Sequence, residues 1–321
     1  MSVARGWHTA SVLSNGKVLV TGGLGNVYIY LNSAELYDPL TGAWAVTGNM
    51  TNSRRWHTSS LLSDGKVLVT GGYYAGGLNS AELYDLSTGI WTATGNMTNK
   101  RLYHTASVLA NGKVLVTGGY GNTGYSNSAE LYDPSTGIWT TTGNMSNARE
   151  YHTASVLSNG KVLVTGGAPS NSAELYDPST GIWTTTGNMS NARQWHTASV
   201  LSNGKVLVTG GMESGYTVLN SAELYDPSTS IWTITSDMTN AREYHTASVL
   251  SNGKVLVTGG WNGNGVLNSA ELYDPLTTTW TITGNMTDTR EYHTASVLSD
   301  GLVLVTGGFN GASDLNSTEL Y

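Results

Sequence analysis

Short apolar runs, separated by turn residues, recur along the chain in a fixed order. In one unit, His152 opens His-Thr-Ala-Ser-Val-Leu, Asn-Gly follows, and Lys161 opens Lys-Val-Leu-Val-Thr, which ends in Gly-Gly. Ser-Ala-Glu-Leu-Tyr, Asp-Pro and a run that contains a tryptophan complete the unit. The runs are short, rich in β-branched and aromatic residues, and lack the period of a helix. The pattern therefore predicts four short antiparallel strands per unit, the first two joined at Asn-Gly.

The unit occurs seven times, and a histidine marks the same position in every copy. Successive histidines lie 44 to 49 residues apart, and they are His8, His57, His104, His152, His196, His245 and His293. A period of this length, built from four strands, is typical of the blades of a β-propeller. The sequence predicts an all-β, seven-bladed propeller. Residues 1–321 are expected to form one domain, whose repeats start near Arg5, Arg54, Arg101, Arg149, Arg193, Arg242 and Arg290.

Side-chain size predicts the order of strands within a blade. Space is tightest at the axis, so the Thr-Ala-Ser strand is expected innermost and the tryptophan strand outermost, where blades diverge. The seventh unit reaches Tyr321 within its Glu-Leu-Tyr strand, without a tryptophan strand. Its third strand is therefore expected to be an open edge near Tyr321, through which the protein could self-associate.

The Gly-Gly, Glu-Leu-Tyr-Asp and Trp elements, at this spacing, resemble the kelch repeat over essentially the whole chain. The segment from Tyr-His to Thr-Gly-Gly is similar to the kelch-type propeller of galactose oxidase and its relatives. This resemblance implies the fold, but the fold hosts adaptors, lectin-like modules and oxidases.

The oxidase relatives imply copper ligands at a Tyr-His pair. The matching pairs here are Tyr103-His104, Tyr151-His152, Tyr244-His245 and Tyr292-His293. The chain has no cysteine for the crosslink of that family, and every unit carries the histidine. We therefore expect buried, hydrogen-bonded structural histidines, no metal, no cofactor and no catalytic residues.

Two charges also recur once per unit: an arginine three residues before the histidine, and a glutamate in the third strand. Arg149 and Glu174 are the pair in the fourth unit. Charges at fixed places in a packed repeat need partners, because an unpaired buried ion is costly. We therefore predict structural Arg–Glu pairs.

Recognition is expected where the copies differ. Links in an up-and-down blade alternate between two faces, so the near-invariant Asn-Gly and Asp-Pro turns share one face. The links after Gly-Gly, among them Ala168-Pro169-Ser170, share the other face with the links between blades, and here the copies vary most. Variable loops on a constant frame are typical of binding surfaces, and Tyr, Trp and Arg are typical anchors. The predicted ligand-binding residues are Tyr28, Tyr30, Arg55, Tyr73, Tyr74, Tyr120, Tyr125, Glu150, Met212, Tyr216, Glu243, Trp261, Glu291 and Phe309.

The net charge and the hydropathy of the chain limit the classes of partner that it is expected to bind. The net charge of −7 disfavours nucleic acid, which calls for a basic stripe. There is no apolar run of about 18 residues, and Met1 to Gly6 lacks the apolar core of a signal peptide. The sequence predicts a soluble protein without a membrane span and leaves its compartment unknown.

These observations favour a non-catalytic scaffold that holds a protein or peptide on the variable face. A carbohydrate-binding propeller is the first alternative, because exposed Tyr and Trp also stack on sugars. A copper oxidase is the second alternative. A recently amplified or engineered repeat without a selected ligand is the third.

Overall fold

Seven antiparallel sheets follow one another around a central axis, and each sheet contains one copy of the sequence repeat. The structure, a computed structural model, describes residues 1–168 and 170–321; Pro169 of the shortest variable link lies outside the described residues. Six blades have four strands and the seventh has three, as the sequence predicts. Inner strands of consecutive blades contact each other, and the inner strand of blade 1 contacts that of blade 7. The ring is therefore closed.

In each blade the strands follow the chain from the axis to the rim. The inner strands are Thr9–Val12, Thr58–Leu61, Thr105–Val108, Thr153–Val156, Thr197–Val200, Thr246–Val249 and Thr294–Val297. The second strands are Val18–Thr21, Val67–Thr70, Val114–Thr117, Val162–Thr165, Val206–Thr209, Val255–Thr258 and Val303–Thr306. The third strands are Ala34–Asp38, Ala81–Asp85, Ala129–Asp133, Ala173–Asp177, Ala222–Asp226, Ala270–Asp274 and Thr318–Leu320. The outer strands are Ala43–Val46, Ile90–Ala93, Ile138–Thr141, Ile182–Thr185, Ile231–Ile234 and Thr279–Ile282.

Three variable links form small two-stranded hairpins of their own. They pair Leu24–Gly25 with Ile29–Tyr30, Tyr120–Gly121 with Gly124–Tyr125, and Met212–Glu213 with Thr217–Val218. One short 3-10 turn, Asn26–Tyr28, lies in the first of them. No helix in the described part of the chain is long and apolar enough to cross a membrane.

The Asn-Gly hairpin is a three-residue loop that ends in a left-handed glycine. In blade 4, Gly160 has a φ of +80° and its N–H donates to the carbonyl of Leu157 at 2.9 Å. The side chain of Asn159 accepts a hydrogen bond from the N–H of Lys161 at 3.0 Å. This combination is a type I turn followed by a bulge, in which only glycine adopts the last position without strain.

The apolar core lies between blades, and the second strand supplies both of its walls. All four residues of each second strand are buried. In blade 4, Val162 and Val164 pack against blade 3, whereas Leu163 packs against blade 5. Because each such side chain contributes roughly 1.5–3 kcal/mol when buried, the blades stabilise one another rather than fold separately.

A histidine joins each blade to the preceding one. Nε2 of His152 lies 3.0 Å from the hydroxyl of Thr105 and 3.2 Å from that of Thr117, both in blade 3. His8 makes the same contacts, at 3.0 and 3.4 Å, with Thr294 and Thr306 of blade 7. The seam is therefore closed by the interaction that joins the other blades. Burial, with Arg5 nearby, lowers the pKa of His8 to about 3, so the ring stays neutral at pH 7.

A buried ion pair fixes the link that enters each blade. The Arg149 guanidinium donates to the Glu174 carboxylate at 3.0 Å and to the carbonyl of Gly166 at 2.6 Å. The other oxygen of Glu174 accepts the N–H of Ser146 at 2.7 Å, and both side chains of the ion pair are fully buried. The equivalent pairs are Arg5–Glu35, Arg54–Glu82, Arg101–Glu130, Arg193–Glu223, Arg242–Glu271 and Arg290–Glu319. In the last of these the Glu319 side chain is 19% exposed.

Outer strands contact the link that leaves the preceding blade. Trp183 Nε1 donates to the carbonyl of Gly143 at 2.8 Å, and the hydroxyls of Thr142 and Tyr176 are 2.9 Å apart. In blade 7, Tyr321 takes the place of Tyr176 and contacts Thr283. The far edge of Thr318–Leu320 has no paired strand in the described chain, as the sequence predicts. Self-association through this edge stays a prediction.

The ion pair of blade 4 provides a direct test of this packing. Glu174→Gln leaves the Arg149 charge buried without its counter-ion, so we expect the free energy of unfolding to fall by about 3 kcal/mol. The control is Lys161→Gln, which removes an exposed pair with Asp177 at 3.3 Å and should change stability by less than about 1 kcal/mol. Denaturant unfolding of both variants measures the difference, and equal effects would contradict the structural role of the buried pair.

Candidate functional site

The variable links and the links between blades meet on one face, around one end of the axis. Arg55 in the link into blade 2 forms a β-bridge with Tyr73 in the variable link of the same blade. Five other blades repeat this bridge, between Gly6 and Leu24, Leu102 and Tyr120, Gln194 and Met212, Glu243 and Trp261, and Glu291 and Phe309. In blade 4, the N–H of Ala168 donates to the carbonyl of Glu150 at 3.0 Å. Both variable sets therefore surround the same opening, which we call the mouth.

Paired glycines make room for this arrangement. Gly166 and Gly167 have φ values of +64° and +89°. A Cβ on Gly166 would lie 2.7 Å from Cε1 of His196, and one on Gly167 would lie 2.6 Å from the carbonyl oxygen of Glu150. The second strand can thus end directly beneath the link that carries the mouth residues.

Seven aromatic side chains form the floor of the mouth. Each precedes a register histidine, and the set, which we call the aromatic ring, is Trp7, Trp56, Tyr103, Tyr151, Trp195, Tyr244 and Tyr292. They surround a cavity of about 210 Å³. Centroids of neighbouring rings are 4.2 Å apart for Tyr103 and Tyr151 and 4.8 Å apart for Trp195 and Tyr244.

The backbone of the aromatic ring is strained in the same way in every blade. All seven residues have φ between +54° and +57°, a left-handed conformation that costs a non-glycine residue about 1–3 kcal/mol. This turn directs the aromatic side chain to the axis while the next residue, the histidine, lies between blades. The sequence does not reveal this ring as a site, because an aromatic present in every copy is equally well explained as core. Its adjacency to a variable position is the signal that could have identified it.

Arg55 and five aromatic residues form a cluster at blades 1 and 2. The Arg55 guanidinium lies 3.6 Å from the ring centre of Trp56 and 5.0 Å from that of Tyr30. Tyr30 is also 6.0 Å from Tyr73 and 5.7 Å from Tyr74, between ring centres. Trp7 completes the set, 5.7 Å from the guanidinium. The structure thus brings four predicted binding residues, Tyr30, Arg55, Tyr73 and Tyr74, into one cluster.

Three glutamates occupy the same position in blades 4, 6 and 7. We call Glu150, Glu243 and Glu291 the mouth acids; their exposed fractions are 6%, 3% and 8%. Nothing in the described structure forms an ion pair or hydrogen bond with their carboxylates, and Oε2 of Glu243 is buried without a partner. Burial raises the pKa of each to about 7, and the charge of Glu291 adds to the effect at Glu243.

The side chains of the other predicted binding residues differ in how far they are exposed to solvent. Tyr28 and Tyr216 are at loop tips and more than four-fifths exposed, whereas Tyr120 and Tyr125 are about half exposed and pack against each other at 5.9 Å. Trp261 and Phe309 are partly buried beside the mouth acids. Met212 is only 5% exposed, because the first residue of its hairpin faces the core, as Leu24 does in blade 1. A role of Met212 in binding stays a prediction.

The Tyr-His pairs do not assemble a copper site. The Tyr103 ring lines the mouth, whereas Nε2 of His104 contacts the hydroxyls of Thr58 and Thr70 between blades 2 and 3. No group of three or more His, Asp or Glu suited to a metal ion occurs in residues 1–168 and 170–321. The donor atoms that the oxidase resemblance implies therefore do not fit the metal.

Comparison with known proteins identifies a family match for the sequence and a similar fold among solved structures. A family model for the KLHDC2/KLHL20/DRC7 kelch-repeats domain matches residues 7–185 and 152–321. No curated protein matches the sequence. Among solved structures, the chain is similar to a fungal alcohol oxidase of the AA5 family in complex with copper, with a TM-score of 0.81 and 23% identity. The match covers 97% of this chain and 72% of the oxidase. At this identity the similarity shows the fold alone.

The buried mouth acids predict an unusual pH dependence of stability. The folded protein retains protons up to about pH 7 that the unfolded chain releases near pH 4.5, so these glutamates lower stability as the pH rises through that range. We expect the triple variant Glu150→Gln/Glu243→Gln/Glu291→Gln to have a higher melting temperature than the wild type at pH 8 and a similar one at pH 4.5. Glu213→Gln, in a partly exposed position on the same face, is the control. A difference that does not change with pH would contradict the burial of ionisable carboxylates.

Proposed function

This chain belongs to the kelch-repeat family of β-propellers, and on that premise we propose that it is a non-catalytic scaffold that binds a protein or peptide at the mouth. The proposal rests on a contrast between the mouth and the repeated residues between the blades, which we call the frame. Arg149 and Glu174 of the frame pair with each other, whereas Oε2 of Glu243, one of the mouth acids, is buried without a partner in the described structure. A buried polar group that the fold leaves unsatisfied needs an explanation, and a bound ligand is one such explanation.

The shape of the mouth favours a polypeptide. Its cavity of about 210 Å³ is smaller than the roughly 300–1,000 Å³ of typical small-molecule sites. One or two inserted side chains fill such a space, while the surrounding links contact the rest of the partner. Tyr30, Tyr74 and Arg55 supply aromatic and cationic anchors on one side, and such residues dominate binding energy at protein interfaces.

A carbohydrate ligand is the second candidate, and the variable link of blade 3 supports it. Tyr120 and Tyr125 are 43% and 50% exposed, with ring centres 5.9 Å apart. Exposed aromatic faces of this kind stack on sugar rings. The partly polar links of the mouth would serve equally for hydroxyl groups, so binding to peptides and to glycans must be measured in parallel.

Selection from a random peptide display library tests the proposed function. We expect the immobilised protein to enrich peptides whose affinity falls at least tenfold in the double variant Tyr30→Ala/Trp261→Ala, because those side chains lie at the mouth on two different blades. Lys161→Ala, beside the Asn-Gly turn of the opposite face, is the matched control and should leave affinity unchanged. Circular dichroism of each variant confirms folding.

Two outcomes would overturn the proposed function. One is a set of selected peptides whose affinity is unchanged by Tyr30→Ala/Trp261→Ala but is lowered by Lys161→Ala. The other is binding on a glycan array without any peptide enrichment, which would establish the carbohydrate reading instead.

A further inference from the structure

We propose that the mouth acids bind the guanidinium group of an arginine side chain, so that the partner is recognised by an exposed arginine inserted into the mouth. This inference rests on the proposed function, whose partner class it specifies. It is argued from four properties of the mouth. A carboxylate there has no partner in the described structure, and the repeat does not require an acid at that position. Aromatic faces adjoin the acids, and the guanidinium of Arg55 already lies on the aromatic ring.

The mouth acids differ from the carboxylates that the repeat holds in every blade. Glu174 has Arg149 as its counter-ion, and Asp177 of the Asp-Pro turn pairs with Lys161 at 3.3 Å. Glu243, by contrast, is only 3% exposed, and its Oε2 has no hydrogen-bond partner among the residues that the structure describes. A buried carboxylate without a counter-ion lowers the stability of the folded protein. The stability of the fold therefore does not explain why an acid occurs here, whereas a role in binding does.

The frame does not require an acid at this position. The equivalent residues in the other four blades are Gly6, Arg55, Leu102 and Gln194. A glycine, a leucine and an amide therefore all satisfy the same backbone bridge. The acids of blades 4, 6 and 7 are thus individual features of this chain rather than features of the repeat.

Two of the acids directly precede two tyrosines of the aromatic ring in the chain. Tyr244 and Tyr292 follow Glu243 and Glu291 in the chain, line the cavity, and have ring centres 4.2 Å apart. Arg55 occupies the equivalent position of blade 2, and its guanidinium lies over the ring of Trp56, so a side chain at this position lies against the aromatic ring. Burial raises the pKa of Tyr244, and the charges of Glu243 and Glu291 raise it further. We expect a planar cation that enters here to contact carboxylate oxygens at its edge and aromatic carbon at its face.

Guanidinium has the geometry for both contacts. Its N–H groups donate in parallel to a carboxylate, and its plane stacks on aromatic rings. An ammonium ion holds its hydration more strongly and offers no flat face, so arginine is favoured over lysine. The protein itself shows that the aromatic ring accepts this group, since the Arg55 guanidinium lies 3.6 Å from the ring centre of Trp56 in blade 2.

Binding of a cation should be coupled to proton release. The charged and titratable groups around the mouth are Glu150, Glu243, Glu291, Asp314, Arg55 and the phenols of the aromatic ring. Burial raises the pKa of Asp314 to about 6 and those of the mouth acids to about 7. A bound guanidinium favours their ionised forms, so affinity should rise from pH 5.5 to pH 8.

The experiment titrates acetyl-Gly-Arg-Gly-amide into the full chain and follows NMR chemical shifts at both pH values. The matched probe is acetyl-Gly-Cit-Gly-amide, in which citrulline keeps the shape and removes the charge, and acetyl-Gly-Lys-Gly-amide tests the cation type. We expect the arginine peptide to bind at least tenfold more tightly than the citrulline peptide and more tightly than the lysine peptide, with higher affinity at pH 8. Citrulline binding equal to arginine binding, lysine binding equal to arginine binding, or higher affinity at pH 5.5 would each overturn the proposal.

Variants assign the effect to the mouth acids. Glu243→Gln/Glu291→Gln should weaken arginine binding at least tenfold, and it should fold because Gln194 already occupies the position in blade 5. Glu213→Gln should leave affinity unchanged, and Gln194→Glu, which adds a carboxylate beside blade 6, should strengthen it. Unchanged binding in the double variant would place the arginine elsewhere and overturn the proposal.

The outcomes separate this inference from the proposed function. If the arginine peptide fails to bind while display-selected peptides still lose affinity in Tyr30→Ala/Trp261→Ala, the mouth binds peptides by another chemistry and only the arginine inference is wrong. If the arginine peptide binds at the mouth acids but no displayed peptide depends on Tyr30 or Trp261, the scaffold proposal is wrong instead.

Discussion

The contact between each histidine and the preceding blade is the constraint on which the rest of the structure depends. Nε2 of His196 lies 3.0 Å from the hydroxyl of Thr153 and 3.3 Å from that of Thr165, deep between blades 4 and 5. The close approach of this imidazole to Gly166 excludes any side chain there. The threonines, the paired glycines and the histidine must therefore be kept together in every copy. Because His8 makes the same contact across the seam, the constraint acts around a complete circle.

This constraint explains why sequence differences among the seven copies are concentrated on one face. Residues between blades serve the frame, and their charges are neutralised there by pairs such as Arg149–Glu174. The mouth lies beyond those contacts, so its bridge position tolerates Gly6 as well as Glu243. Buried carboxylates at such a position lower stability, and a rigid ring with large inter-blade cores can accommodate that loss. The mouth thus combines a preorganised frame with groups that the fold leaves unsatisfied.

Much of the fold can be predicted from the sequence because the same pattern of strands and turns occurs in seven copies. The period predicts the blades, and residue size correctly orders the strands from the small inner Thr-Ala-Ser to the outer tryptophans. The mouth is harder to predict. The direction of Tyr151 depends on a left-handed backbone, which an aromatic residue does not signal in advance. Likewise, whether a loop residue is covered depends on its neighbours across the blades: Glu243 is buried, whereas Tyr216 is 84% exposed.

Hydrogen exchange of backbone amides tests ring closure most directly. In a closed ring, the inner strands at the seam, Thr9–Val12 and Thr294–Val297, should open only when the whole ring does, as should Thr153–Val156 on the opposite side. The native protein is labelled and then digested, and mass spectrometry of its peptides should therefore find equally slow exchange in all three strands. Exchange at the seam strands that is faster by orders of magnitude than in Thr153–Val156 would show that the ring opens there, and would contradict closure by the His8 contacts.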